Sequence, residues 1–197
     1  MKNYKLFISP KNTKMGRIPS VSLPPEKTCP ADAPCRKGGC YSKKLCKIRP
    51  RLLATLEGNL RYYNGDPDNY FSKITSYLDY ANTNFFRWDV HGDFPSEDYF
   101  ARIKYIAKKT PTIKHLAFTK RYDYNFLKLP ANFSVVFSMW NNYGNTRKKM
   151  PRAWMLDPKD PDPRIPLNAL SCPGNCETCG ACWNLKLINR DMTLPKH

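Results

Sequence analysis

Four cysteines lie within eleven residues near the end of the chain, and their spacing is the strongest chemical signal in the sequence. They are Cys172, Cys176, Cys179 and Cys182, in the pattern Cys-x3-Cys-x2-Cys-x2-Cys. Proline and glycine between them let the backbone wrap tightly around one inorganic centre. Zinc sites usually pair two Cys-x2-Cys units across a longer gap, whereas compressed runs are typical of [4Fe–4S] clusters. We therefore expect an iron–sulfur centre here, with structural zinc or a disulfide knot as the alternatives.

A second group of cysteines lies near the start of the chain. Cys29, Cys35 and Cys40 are separated by Pro and Gly residues, which predict a loop folded around a metal centre. Three thiols bound to a four-iron cluster leave one iron open, so we expect the reactive site in this group. The four-thiol terminal run then suits a closed auxiliary or structural centre. Cys46 is either a fourth ligand or a small buried residue, and the second interpretation is favoured.

The sequence predicts that alternating strands and helices position these thiols. Hydrophobic periodicity predicts helices at residues 50–63, 67–81 and 96–109, with a short one at 124–129. Strands are predicted at residues 5–8, 85–90, 113–118, 133–138 and, more weakly, 153–156. Such alternation is typical of an α/β protein with a mainly parallel sheet, either open or closed into a partial β/α barrel.

The length of 197 residues predicts a single domain. Its three parts are a basic N-terminal segment with the first cysteine loop (1–49), a helical hairpin and β/α core (50–157), and a Pro-rich connector with the C-terminal cysteine knot (158–197). Parallel α/β sheets bind ligands beyond the carboxyl ends of their strands. This rule nominates the turns at 91–93, 119–121 and 138–140, the first of which contains His91 and Asp93. An ordinary polar turn is the alternative interpretation of that segment.

The chain is strongly basic, with 33 Lys and Arg against 16 Asp and Glu and a formal net charge of +17. Such an excess favours a polyanionic partner, most commonly nucleic acid, because basic side chains release counterions condensed on phosphates. The candidate contacts are Lys120, Arg121, Lys128, Arg147, Lys148 and Lys149, interleaved with the rings of Tyr122, Tyr124, Trp140 and Tyr143. The alternative is a solvated basic rim around rings that belong to the core.

Several classes of protein are not expected from this sequence. The apolar run at residues 4–8 is too short for a signal peptide, and no stretch approaches the length of a membrane span. We therefore expect a cytoplasmic protein without membrane association, in which reduced cysteines bind metal rather than form disulfides. No phosphate-binding glycine loop occurs, and neither His91 nor His115 has a nucleophile motif beside it. His115 is interpreted as a packed strand residue.

Together these segments resemble the phage gene product 88 family, which is similar to radical SAM-like phage proteins. The resemblance covers most of the chain in the right order. It is carried by Thr28-Cys29-Pro30, Cys35, Cys40-Tyr41, Phe86-Arg87-Trp88-Asp89-Val90-His91-Gly92-Asp93-Phe94, Phe118-Thr119-Lys120, Cys172-Pro173, Cys176, Cys179-Gly180 and Cys182-Trp183. It implies an origin in a bacteriophage or mobile element, the cytoplasm of a bacterial host as location, and a cysteine-bound cluster in a partial β/α barrel.

The likeness to radical SAM enzymes implies roles for individual residues. A cluster on Cys29, Cys35 and Cys40 would keep one iron free for S-adenosylmethionine, although their spacing departs from the usual Cys-x3-Cys-x2-Cys. Asp93 would bind the methionyl amino group, with His91 beside it as a second catalytic candidate. The leading hypothesis is thus a radical SAM-like iron–sulfur protein that acts on nucleic acid or a nucleotide. The alternative is a non-enzymatic basic protein that binds nucleic acid or a host nucleoprotein, such as a CRISPR effector, and has structural zinc or iron–sulfur centres.

Overall fold

The computed structural model describes residues 4–144 and 149–195, and its centre is a seven-stranded sheet in which neighbouring strands run parallel. The strands are β1 (Ser20–Val21), β2 (Phe85–Trp88), β3 (Lys114–Thr119), β4 (Phe133–Met139), β5 (Arg152–Leu156), β6 (Leu170–Ser171) and β7 (Met192–Pro195). Their order across the sheet is β1-β2-β3-β4-β5-β7-β6. The predicted α/β class with an open, parallel sheet is confirmed.

Six helices accompany the sheet in the described residues. They are α1 (Tyr41–Ile48), α2 (Pro50–Gly65), α3 (Pro67–Tyr80), α4 (Glu97–Lys109), α5 (Cys176–Cys179) and α6 (Leu185–Ile188). The three predicted long helices are confirmed, and their starts follow local chemistry. Pro50 occupies the first turn of α2, the Asp66 side chain accepts a hydrogen bond from the Asn69 N–H (3.1 Å), and the Ser96 side chain accepts one from the Tyr99 N–H (3.1 Å).

Two predicted elements are wrong. Residues 5–8 form no strand, because the Phe7 backbone is bonded to the buried side chain of Asn59. The Phe7 N–H donates to Asn59 Oδ1, and Asn59 Nδ2 donates to the Phe7 carbonyl, both at 2.9 Å. Residues 124–129 form turns instead of a helix. There the Asn125 side chain accepts a hydrogen bond from the Leu127 N–H (2.9 Å), and Lys128 adopts a left-handed φ of 54°. Both features compete with helical hydrogen bonding.

The two faces of the sheet are covered differently. Helices α2, α3 and α4 pack on one face, where Ile74, Ile103, Trp88 and Phe137 belong to one large apolar cluster. The opposite face carries a second cluster, which includes Met15, Ile18, Leu116, Val136, Ala153, Trp183, Leu185 and Met192. This face is covered by the segment around Met15 and by the C-terminal cysteine segment. The sheet therefore places the terminal cysteines on the face opposite α2, α3 and α4.

No helix among the described residues is long and apolar enough to cross a membrane.

Candidate functional site

A cavity of about 190 Å³ lies at the carboxyl ends of the central strands. Its wall includes the three N-terminal cysteines, Asp93, Lys120 and Ser138. Each of the three predicted turns thus contributes a residue to one site. A larger open groove of about 770 Å³ lies between residues 4–8 and α3, and it contains no strand end and no cysteine among its lining residues.

The N-terminal cysteine loop is held against the strand ends by polar contacts. The Thr28 hydroxyl donates to the Pro24 carbonyl (3.0 Å), and Arg121 Nη2 donates to the Thr28 carbonyl (2.9 Å). Cys40 ends the loop as the N-cap of α1, where its sulfur accepts the Lys43 N–H at 3.4 Å. A helix N-terminus favours a negative charge, so this position stabilises a thiolate on Cys40.

The three N-terminal thiols influence one another. A hydrogen bond from Cys35 to Cys40 lowers the pKa of Cys40 and raises the pKa of Cys35. Burial, followed by the negative charge of Asp93, raises the pKa of Cys29 to about 11. The positive charge of Lys120 opposes the rise in the pKa of Cys29 and Cys35 and contributes to the fall in the pKa of Cys40. The group thus combines thiol donors, a preferred thiolate and a nearby cation.

Asp93 is buried at the cavity wall and bonded to both neighbouring segments. Its Oδ1 accepts hydrogen bonds from the Thr119 hydroxyl (2.7 Å) and the Phe94 N–H (2.8 Å), and its Oδ2 accepts one from the Lys120 N–H (2.8 Å). Burial raises the pKa of Asp93, while these hydrogen bonds oppose the rise. A carboxylate has about four acceptor positions, so Oδ2 retains capacity for one further donor.

His91 lies outside the cavity wall, on the side of α1. Its Nδ1 is 3.0 Å from the Ser42 hydroxyl, and its ring stacks on Tyr41 with a centroid separation of 6.0 Å. Burial, followed by the positive charge of Arg87, lowers the pKa of His91 to about 4. The imidazole is therefore neutral at pH 7 and joins the turn after β2 to the helix after the cysteine loop.

Two of the six predicted nucleic-acid residues turn inward. Lys120 Nζ donates to the Ser138 hydroxyl (2.7 Å) at the cavity wall, and Arg121 Nε donates to the Phe94 carbonyl (3.1 Å). Lys128 and Lys149 are exposed, while Arg147 and Lys148 lie outside the described residues. Of the interleaved rings, Tyr124 is buried in the core, Tyr122 packs edge-on against Phe137, and Trp140 lines the cavity. Lys128 and Lys149 are thus the described members of the set that face solvent.

The C-terminal cysteines form a separate group on the face of the sheet opposite α2, α3 and α4. The Cys172 N–H donates to the Thr193 carbonyl (3.0 Å), the Cys176 N–H to the Lys14 carbonyl (2.9 Å), and the Ser134 hydroxyl to the Cys182 carbonyl (2.9 Å). Cys172, Cys176 and Cys182 pack against the second apolar cluster, whereas Cys179 is exposed. Burial raises the pKa of Cys182 to about 12. The charges of the other C-terminal thiols act on the pKa of Cys176 and Cys182.

All eight cysteines are free thiols in the structure. Within residues 4–144 and 149–195, no group of three or more His, Cys, Asp or Glu side chains is arranged to hold a metal ion. Cys46 is buried on α1, and burial raises its pKa. This placement agrees with its interpretation as a small buried residue.

Sequence reasoning missed two charged residues of this region, Arg87 and Asp89. Both line the cavity, and each has a buried polar atom without a partner in the described structure, Arg87 Nε and Asp89 Oδ2. Asp89 has a left-handed φ of 48°, and its Oδ1 accepts a 3.4 Å hydrogen bond from the Tyr99 hydroxyl. A charged pair inside an otherwise aromatic strand was the available signal, since charges are rarely buried without a partner or a function.

Comparison with known proteins gives one match. The sequence model of a family described as Gene product 88 matches residues 2–185. No curated protein and no solved structure is similar enough to the chain to be matched. Because the family match spans nearly the whole chain, the chain belongs to the Gene product 88 family.

Proposed function

We propose that this chain is an iron–sulfur protein of radical SAM-like architecture, with a reactive [4Fe–4S] cluster on Cys29, Cys35 and Cys40. The observation that carries the proposal is the position of these three thiols, which line one cavity at the carboxyl ends of parallel strands. Three thiolates leave one iron available for a small molecule. The cluster, when bound, would supply one-electron reduction to a ligand such as S-adenosylmethionine.

The residues around the thiols support this use of the cavity. The Lys120 ammonium group favours the thiolate form that binds metal: its positive charge opposes the rise in the pKa of Cys29 and Cys35, which burial and neighbouring groups cause, and adds to the fall in the pKa of Cys40. The remaining acceptor position on Asp93 Oδ2 suits an ammonium group of the ligand. Phe118 and Trp140 add apolar wall that excludes water from the reacting atoms. His91 supports the site through α1, because its bond to Ser42 fixes the helix that Cys40 caps.

The C-terminal thiols suit a second, closed centre. Cys172, Cys176, Cys179 and Cys182 supply four sulfur donors, so a bound cluster there has no open iron. Structural zinc uses the same number of thiolates and is the alternative metal for this group. Thiolate donors bind both iron and zinc, and the metal content of the purified protein distinguishes the two.

The substrate class in this proposal is nucleic acid or a nucleotide. Its support is the net charge of +17 and the exposure of Lys128 and Lys149. The competing proposal rests on the same charge: a non-enzymatic protein that binds nucleic acid or a host nucleoprotein, for example a CRISPR effector complex. The phage or mobile-element origin and the cytoplasmic location in a bacterial host stay predictions.

Anaerobic purification followed by incubation with iron and sulfide tests the leading proposal. We expect a brown protein that absorbs at about 400 nm, as [4Fe–4S] proteins do. Reduction in the presence of S-adenosylmethionine should then yield its cleavage products. A colourless protein with two zinc ions would contradict the cluster, and a fully loaded protein that leaves S-adenosylmethionine intact would contradict the reaction.

Binding to DNA and RNA at several salt concentrations tests the competing proposal. Phosphate contacts predict that the binding constant falls steeply between about 50 and 200 mM salt. The matched variants are Lys128→Gln, at an exposed position, and Lys120→Gln, at the cavity wall. Weaker binding in the first variant alone supports a surface for nucleic acid. A binding constant that does not change with salt removes the proposal.

A further inference from the structure

The open groove between residues 4–8 and α3, which we call the α3 groove, is rich in tyrosine and lysine. Its volume is about 770 Å³. The side chains that line it include Tyr4, Lys5, Lys73, Tyr77 and Tyr80. Two of its lining residues are basic and none is acidic, so the groove favours a negatively charged partner.

Helix α3 contributes one continuous stripe of the groove. Lys73, Tyr77 and Tyr80 follow one another at spacings of four and three residues, so they share one face of the helix. The Tyr80 side chain is 91% exposed and Lys73 is exposed, whereas Tyr77 is half-buried against the core. Asp79 is also exposed, but it lies about 100° around the helix from Tyr80 and does not line the groove. The stripe therefore presents a cation and an aromatic ring to solvent.

The opposite wall of the groove is fixed by contacts with α2. The Tyr4 ring stacks on Tyr62, with a centroid separation of 5.1 Å and an angle of 11° between the ring planes. Phe7 is bonded through its backbone to the Asn59 side chain by two hydrogen bonds of 2.9 Å. Lys5 lies between these two anchors and is exposed. The wall is thus preformed, and a ligand does not have to order it.

The two lysines of the groove have no acidic partner. None of the ion pairs within residues 4–144 and 149–195 includes Lys5 or Lys73. Two other surface lysines, Lys27 and Lys43, each pair with a glutamate. The ammonium groups of the groove are therefore available to an anionic ligand.

Exposed rings next to lysines are typical of surfaces that bind single-stranded nucleic acid, because rings stack on unpaired bases while lysines contact phosphates. Lys73 and Tyr80 are seven residues apart, about 10 Å along the helix axis, which corresponds to about three nucleotides of a stacked strand. We propose that the α3 groove binds single-stranded DNA or RNA, with a base on Tyr80 and phosphates on Lys5 and Lys73. This role rests on the nucleic-acid part of the proposed function and is independent of both cysteine groups.

Fluorescence anisotropy with labelled oligothymidylate and oligouridylate of about twelve nucleotides tests the groove, with a DNA duplex of the same length for comparison. We expect Tyr80→Ala to weaken binding of the single strands by about 5-fold or more, which is the loss of one base–ring contact, and Tyr80→Phe to keep it. Lys73→Gln should reduce the slope of log Kd against log salt by about 0.7, the value for one phosphate contact of a single strand. Because Tyr80 is 91% exposed, its replacement leaves the core intact.

The matched control is on α4. Tyr105 is a second exposed tyrosine, at 62%, and Lys109 Nζ lies 5.5 Å from the centroid of its ring. Tyr105→Ala should leave the affinity unchanged, and Lys109→Gln should leave the salt slope unchanged. Equal affinity of Tyr80→Ala and the native chain would overturn the inference. Equal weakening in Tyr105→Ala, or equal weakening for the duplex, would also overturn it.

The remaining outcomes separate the groove from the broader proposal of a nucleic-acid partner. A native chain that binds neither single strand would overturn both. Binding that is weakened by Lys128→Gln but not by Tyr80→Ala would overturn the α3 groove alone. Binding of either strand that depends on Tyr80 supports the groove, and the tighter of the two strands identifies the ligand as DNA or RNA.

Discussion

Replacement of Asp93 distinguishes its contribution to folding from its contribution to ligand binding. The native carboxylate accepts hydrogen bonds from the Thr119 hydroxyl, the Phe94 N–H and the Lys120 N–H, at 2.7, 2.8 and 2.8 Å. Asp93→Ala leaves these three donors without their acceptor in a buried site. At about 1–1.5 kcal/mol for each donor, we expect a loss of about 3–4.5 kcal/mol in the free energy of unfolding.

Asp93→Asn is the informative companion variant. The amide oxygen can still accept from Thr119 and Phe94, whereas the amide nitrogen faces the Lys120 N–H, so one hydrogen bond is lost. The neutral amide also avoids the burial cost that raises the pKa of the native carboxyl group. We therefore expect a smaller loss, about 1–2 kcal/mol.

Equilibrium unfolding in guanidinium chloride measures both variants against the native chain. A loss under about 1 kcal/mol for Asp93→Ala would refute the structural role that we infer from the hydrogen bonds. If Asp93→Asn folds stably, its binding of S-adenosylmethionine can be measured directly. Weaker binding by that variant supports the use of Oδ2 by a ligand, and unchanged binding restricts Asp93 to a structural role.

Two further predictions concern stability. His115 is fully buried. Its Nδ1 accepts a hydrogen bond from the Trp88 indole N–H (3.1 Å), and its Nε2 lies 2.8 Å from the Thr110 hydroxyl. Burial lowers the pKa of His115 from 6.5 to about 4. The unfolded chain therefore binds more protons between pH 6.5 and 4, so His115 should cost about 3 kcal/mol of stability as the pH falls through that window. Urea unfolding measures how much the free energy of unfolding falls between pH 7 and pH 4.5. This fall should be smaller in His115→Gln than in the native chain, and an equal fall would contradict the burial of a neutral His115. Gly92→Ala places a Cβ 2.6 Å from Thr28 Oγ1 at a φ of +76° and should lower the melting temperature by about 2–4 °C for each kcal/mol of stability lost. Gly38→Ala, with open space, should change it little, and equal shifts would contradict the packing of this turn.

Local sequence chemistry was sufficient to predict the helical layer. Pro50, Asp66 and Ser96 occupy the helix starts that their side chains favour, and the apolar periodicity that follows each one packs against the sheet. The strand-end rule nominated the turns at 91–93, 119–121 and 138–140 as ligand positions, and each contributes a residue to the cavity wall. The helix starts depend on residues that are near one another in the chain, and the strand-end rule requires only that the strands be parallel.

The features that sequence reasoning missed depend on contacts between distant residues. The side chain of Asn59 replaces the strand pairing expected for residues 5–8, over a separation of 52 residues. Lys120 was assigned to a solvent-exposed set because its neighbours are basic, but its ammonium group is directed to Ser138. Neither amino-acid composition nor hydrophobic periodicity specifies which distant side chains share a pocket.

A site-resolved iron count tests the central claim most directly. The native chain and the variant Cys29→Ser/Cys35→Ser/Cys40→Ser are loaded with iron and sulfide, with Cys46→Ser as the control for replacing a buried thiol on α1. Two four-iron clusters predict about eight irons in the native chain and in the control, and about four in the triple variant. Equal iron contents in the native chain and the triple variant would contradict a cluster in the cavity.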